Sequence, residues 1–422
     1  MTFDNSPLPL FDSLKWINQT RIFSSFYLYP SYCYQDIEKA LGFLKCYTGN
    51  LGTFNSYRRE VERLLHWCSL VAKKTLADIK RHDIEAFIVF CQNPPKHWIS
   101  IIKFPRFVEK EGVRLPNPCW RPFVSVISKA HHRKGEKPKI ENFELSQGTL
   151  KELFAILSSF YNYLLQEEYV HANPVALIRQ KSKFIRRVQE QPKIRRLSEL
   201  QWRYVIRTAE NLASTSPNIH ERTLFIVSAL YSMYLRISEL AANSRWIPMM
   251  NNFFLDSNSD WWFMTIGKGN KQRQIAVSEA MLYALKRWRR YLNLSSLPSP
   301  ADNSPLLPRI RGKGYIQSTN YIRKIVQYCF DQAIKQLKRD DFIEESETLL
   351  EATVHWLRHT GISDDVKIRP REHVRDDAGH SSSTVTDKYI DITLQERHRT
   401  AKKKPINPHF DTAESEAPEK SQ

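Results

Sequence analysis

Between residues 33 and 92, apolar side chains return every three or four positions in three runs, YQDIEKALGFLKCY, TFNSYRREVERLLHWCSLVA and TLADIKRHDIEAFIVFCQ. That spacing predicts three helices with basic outer faces. In the second run Tyr57, Val61, Leu64, Leu65 and Cys68 form the apolar stripe, and Thr53 or Asn55 is the expected cap. The pattern then breaks into NPPKHW, LPNPCWRP and HHRKGEKPK, so residues 93–143 read as loops or short elements inserted between helices. Helical spacing resumes in SQGTLKELFAILSSFYNYLLQEEYV and is expected to stop near Asn173-Pro174, where proline restricts the residue before it.

Residues 179–196, RQKSKFIRRVQEQPKIRR, carry eight Lys/Arg and one Glu. Charge and irregularity mark this run as a linker between domains. Helices return at LSELQWRYVI, with Ser198 as the expected cap, and at RTLFIVSALYSMYLRISEL. The period changes over 251–278, where NNFFL, WWFMTI and RQIAVS predict three short strands separated by the turns DSNSD and GKGNKQ. A proline-rich stretch, SLPSPADNSPLLP, leads into the helix YIRKIVQYCFDQAIKQL. The expected fold is mainly α with a small antiparallel β-sheet. Its parts are an arm (1–32), a helical domain (33–178), the linker (179–196), an α+β domain (197–396, helical from Tyr389 to about Arg399) and a disordered tail (397–422).

Composition changes the picture in one respect. Among 422 residues, 63 Lys/Arg stand against 45 Asp/Glu, a formal charge of +18, which is the electrostatic footprint of a polyanion binder. The basic linker would repel itself unless a polyanion neutralised it, so Arg179, Lys181, Lys183, Arg186, Arg187, Lys193, Arg195 and Arg196 are candidate phosphate contacts. The six cysteines include no Cys-x-x-Cys pair, so neither a zinc knuckle nor a disulfide framework is indicated, and a reducing, cytoplasmic location is expected. The N-terminus lacks the layout of a signal peptide, and the most apolar helix candidate, Leu224 to Leu235, is short of the ~20 residues that span a bilayer.

Several residues have the chemistry of a phosphate site. His355 and Arg358 in HWLRHT stand at i and i+3 on one helix face, and so do Arg236 and Glu239 in YLRISEL, where the carboxylate can orient the guanidinium. Two arginines reaching one point clamp a phosphate oxyanion. His355 and His359 have the spacing of a metalloprotease helix, but Trp356 stands where that chemistry needs a glutamate, and no metal is expected. Lys268 falls at the tip of a predicted hairpin; a nucleotide-binding glycine loop would instead open a helix. In GHSSSTVTDKY, nine helical steps would put His380 and Tyr389 on opposite faces. The serine run is a poor helix interior and a good cap, and a break there lets the two converge.

Arg236, Lys268, His355, Arg358, His380 and Tyr389, in that order, resemble the motif set of the tyrosine recombinases, the phage integrase family. LRISEL resembles the first arginine box, IGKGNKQR the lysine hairpin, HWLRHT the His-x-x-Arg box, and GHSS with Tyr389 the nucleophile box. The likeness covers about 197–392, and residues 33–178 are similar in pattern to the family's helical core-binding domain. Tyr234 departs from it, standing where a small residue, often glycine, is usual, and Ala276 replaces a common proline.

The resemblance implies a site-specific recombinase that cuts and rejoins DNA through a 3′-phosphotyrosine, for integration, excision or transposition of a mobile element. Tyr389 would be the nucleophile, Lys268 the acid and His355 the base, with Glu239 in support. It implies no metal or other cofactor. Double-stranded DNA and further recombinase subunits, four on two sites, are the implied partners. A type IB topoisomerase, or a DNA-binding protein without catalysis, are the alternatives.

Overall fold

Flanking side chains cap the first turns of several helices. In the computed structural model, which describes residues 6–19, 29–181, 184, 195–267, 271–380, 382, 385–386 and 402 (for 177 and 179–181 the backbone alone), the chain divides into two units, Met1–Gln189 and Glu190–Gln422.

The first unit is built on α1 (Tyr34–Lys45), α2 (Leu51–Trp67) and α3 (Arg81–Gln92), with a short α4 (Lys129–Arg133) before α5 (Gln147–Gln166) and α6 (Pro174–Lys181). The cap of α2 differs from the expected Thr53 or Asn55. Asn50, in extended backbone, accepts from the Gly52 and Thr53 amides at 3.0 and 3.2 Å, so the helix begins earlier and both expected caps lie inside it. The end of α5 also differs, falling at Gln166, and Pro174 opens α6 rather than closing its predecessor. The Asn173 carboxamide accepts from the Val175 and Ala176 amides, and a proline costs nothing in a first turn, where its missing N–H has no helical partner. Residues 179–181 of the basic run are therefore helical.

Residues 93–143 hold two small pairings. β1 (Ile99–Ser100) runs parallel to β4 (Phe123–Val124), and β2 (Phe107–Lys110) pairs antiparallel with β3 (Val113–Pro116). Trp98, Ile99 and Phe123 are buried in the same core as Phe43, Phe87, Phe154 and Phe160, so the segment completes the helical core rather than lying over it. Leu10, Phe11 and Ile17 join that core as well, and Glu62 accepts the Leu10 and Phe11 amides. Each such side chain stabilises by about 1.5–3 kcal/mol when fully buried.

In the second unit α7 (Glu199–Thr215) starts at the expected Ser198, whose hydroxyl accepts from Gln201 at 3.1 Å. α8 (Pro217–Ser232) is buried on nearly every face from His220 to Leu230. Next come β5 (Phe253–Leu255), β6 (Trp261–Ile266) and β7 (Gln272–Ala276), one antiparallel sheet in chain order, as the alternation predicts. α9 (Glu279–Tyr291), α10 (Thr319–Arg339), α11 (Ile343–Leu349), α12 (Val354–Asp365) and α13 (Arg371–Ala378) follow, and α7, α9, α10 and α12 all pack on α8. The fold is mainly α with small sheets, as expected. All six cysteines are free. Among the described residues no helix is long and apolar enough to cross a membrane.

Candidate active site

The helix expected to run from Leu224 to Leu235 stops at Ser232, because Tyr234 takes a left-handed conformation with φ 49°. Arg236 then emerges in extended backbone, and Ile237–Glu239 form a single 3₁₀ turn rather than an α-helical face. The expected pairing survives that change: Glu239 accepts from the Arg236 amide at 2.8 Å and from its Nη1 at 3.1 Å.

Glu239 also binds a residue that spacing does not reveal. Arg273, on β7, donates Nη1 and Nη2 to the two carboxylate oxygens at 2.7 and 2.8 Å, and its Nε to the Asp377 carbonyl at 3.0 Å. One carboxylate, 1% exposed, thus orients two guanidiniums. Gly267 leaves room for them, since a Cβ there would sit 3.1 Å from Arg273 Nη1 and 3.3 Å from Arg236 Nη1. At Gly379, with φ 64°, a Cβ would meet Arg273 Cδ at 2.8 Å.

α12 carries the histidine and the second arginine. Arg358 is 2% exposed; its Nη1 donates to the Tyr234 carbonyl, and its Nη2 to the Ala378 carbonyl at 2.7 Å and to His380 Nε2 at 3.3 Å. A guanidinium cannot accept a hydrogen bond, so His380 Nε2 is the acceptor and Nδ1–H donates to the Thr386 hydroxyl at 2.9 Å. Burial first, then the Arg358 charge, holds His380 down at about 4, which keeps it neutral. His355 is exposed on the same helix, and partial desolvation by its neighbours, then the Arg358 and Arg236 charges, lower its pKa. His359 stacks edge-on against His355 with centroids 4.3 Å apart and donates from Nδ1 to the Arg195 carbonyl at 3.2 Å. Burial followed by His355 pushes His359 to about 4.

Arg236, His355, Arg358 and His380 therefore lie in one neighbourhood, since both arginines depress both imidazoles. Lys268 and Tyr389 lie outside the described residues, as do Lys183, Arg186, Arg187 and Lys193, the side chains of Arg179 and Lys181, and the expected helix and tail after Tyr389. The hairpin bearing Lys268 is described up to its rim, where the Gly267 amide donates to the Lys271 carbonyl at 2.8 Å. Of the linker residues, Arg195 is exposed and Arg196 half-buried. Among the described residues no group of three or more His, Cys, Asp or Glu could hold a metal ion.

A buried arginine, a half-buried arginine and two imidazoles of lowered pKa, on a helical domain with a three-stranded sheet, make an arrangement suited to a phosphate group. No family model matches the chain. It is 24% identical over 318 residues to the tyrosine recombinase XerC of Bacillus licheniformis, covering 71% of this chain and 86% of that one. It is 28% identical over 218 residues to XerC of Xanthomonas axonopodis pv. citri, covering 50% and 58%. Its fold is similar to that of the XerH site-specific recombinase solved on palindromic difH substrate as a post-cleavage complex, with TM-score 0.54, 14% identity and 92% of each chain covered. Its sequence relatives and its fold neighbour are tyrosine recombinases, the family whose motif set the chain resembles.

Proposed function

We propose that the protein cuts and rejoins double-stranded DNA through a covalent link to Tyr389, moving a mobile element by integration, excision or transposition. The phenol oxygen attacks the scissile phosphorus, the bond to the 5′ oxygen breaks, and a 3′-phosphotyrosine and free 5′-hydroxyl result. His355 takes the phenol proton, and Lys268 protonates the departing 5′ oxygen. A tyrosine of ordinary pKa about 10 needs a positive field at the phosphate, and Arg236 and Arg358 supply it where charge develops. His380 steadies Arg358 through the neutral imidazole; to donate to a non-bridging oxygen instead, it would release Arg358 and carry its proton on Nε2. The 5′-hydroxyl of a second duplex then reverses the attack. Four subunits on two sites, in the cytoplasm and with the 179–196 run along the phosphate backbone, complete this reading.

The observation that carries it is the meeting of Arg358 on α12 with His380 and with the Tyr234 carbonyl, two residues before the Arg236 that Glu239 orients. The test is a nicked duplex bearing a site recovered from a random-sequence library by binding to this protein. Wild type is expected to give a covalent protein–DNA adduct and Tyr389→Phe none. An adduct with Tyr389→Phe, or none with wild type, overturns the mechanism.

A further inference from the structure

Tyr234 is fully buried yet holds φ 49°, a conformation uncommon for a bulky residue with a Cβ. Several contacts hold its side chain. The phenol donates to the Asp365 carboxylate and accepts from Arg369 Nη1 at 3.0 Å, while the ring packs against Ile362, Val374 and Ala378. Arg369 reaches on to Asp377 Oδ2 at 2.6 Å, and Asp377 Oδ1 accepts the Ala276 amide of β7 at 3.2 Å. Burial, then the Asp365 carboxylate, raises the phenol's pKa, so it remains a donor. The same left-handed turn aims the Tyr234 carbonyl at Arg358 Nη1.

We propose that Tyr234 is a positioning residue for Arg358: its phenol, anchored by Asp365 and Arg369, holds the backbone in the left-handed conformation that points the Tyr234 carbonyl at the guanidinium. A glycine could adopt that conformation without an anchor, and would also leave it freely. With tyrosine the conformation depends on the side-chain network, so the placement of Arg358 is linked to Asp365 on α12 and Asp377 on α13. The inference rests on the reading of Arg358 as a phosphate-binding group.

Tyr234→Phe tests it, because the ring stays packed and Asp365 keeps Arg369 at 3.3 Å, leaving only the anchor removed. Two measurements on the full chain are needed. The first uses no DNA and follows solvent exchange of the Arg358 Nε–H by NMR, with the resonance assigned through Arg358→Lys. Exchange is expected to quicken about tenfold or more in Tyr234→Phe and in Asp365→Asn. The second follows single-turnover cleavage of the nicked, library-selected duplex. The rate is expected to fall about tenfold or more while DNA affinity stays within about twofold, since a small displacement of a charge-stabilising group slows the step without weakening binding. Unchanged Arg358 exchange overturns the inference, and so does a Tyr234→Phe cleavage rate within about twofold of wild type. If wild type forms no adduct, the proposed mechanism fails on its own account, and the exchange measurement still decides whether Tyr234 holds Arg358.

Discussion

Glu239 and Arg273 meet across thirty-four positions of sequence in a pair with two parallel hydrogen bonds, and the same carboxylate holds Arg236. The geometry fixes the direction of both guanidiniums before any substrate arrives, which is what electrostatic stabilisation of a phosphoryl transition state requires. Glu239→Gln keeps the shape and removes the charge. Because Arg273 is 9% exposed, the variant strands a buried cation, and unfolding free energy in urea should drop by about 3–5 kcal/mol. A loss below about 1 kcal/mol would show that Arg273 finds another counter-charge.

Part of this site is legible in the sequence because its contacts are local. Arg236 and Glu239, or His355 and Arg358, are three residues apart and announce themselves by spacing. Arg273 does not, since its partners lie on the Glu239 turn and at Asp377, and strand alternation says only that it faces one side of β7. Nor does Tyr234: the pattern of α8 reads as apolar through Leu235, and only tertiary bonds from Asp365 and Arg369 make the chain turn at Tyr234. The strands of the sheet were readable because a half-buried strand alternates. The residues at 93–143 were not, because their pairings are two to four residues long and their burial comes from the helices around them.

Gly361 on α12 lies against α8, and a Cβ there would fall 2.1 Å from the Tyr231 carbonyl oxygen. A backbone atom cannot move aside as a side chain can. Gly361→Ala should therefore push the two helices apart and cost about 1–3 kcal/mol in thermal unfolding. Gly49→Ala, with nothing within 4 Å of the new Cβ, should stay within about 0.5 kcal/mol and serves as the control.

The run 179–196 predicts a salt dependence. Each Lys or Arg that neutralises a phosphate should contribute about 0.9 to the slope of log affinity against log salt. Replacing Arg186, Arg187 and Lys193 together by alanine should lower that slope by roughly 2.7, read by fluorescence anisotropy on a duplex between low and moderate salt. An unchanged slope would place the run away from the DNA.

The histidines predict how stability responds to acid. His359 and His380 sit at about 4 in the folded protein, below the ordinary value of 6.5, with burial the leading cause for both. Between those values the unfolded chain binds protons that the native state does not, so stability rises with pH there. The full contribution is present above pH 6.5 and is lost as the pH falls toward 4. Each histidine adds up to about 1.4 kcal/mol per pH unit to that slope. Urea unfolding at pH 7.5, 6 and 5 should show the decline, and His359→Asn, whose carboxamide can still donate to Arg195, should flatten it by about one histidine's share. Asp36, raised to about 6 by burial, titrates in the same range, so the difference between variant and wild type is the quantity that decides. His355 sets the matching expectation for activity. Its pKa is lowered too, so a base role requires the acid limb of the cleavage rate to lie below 6.5. A limb centred above 6.5 would assign the proton transfer to another group.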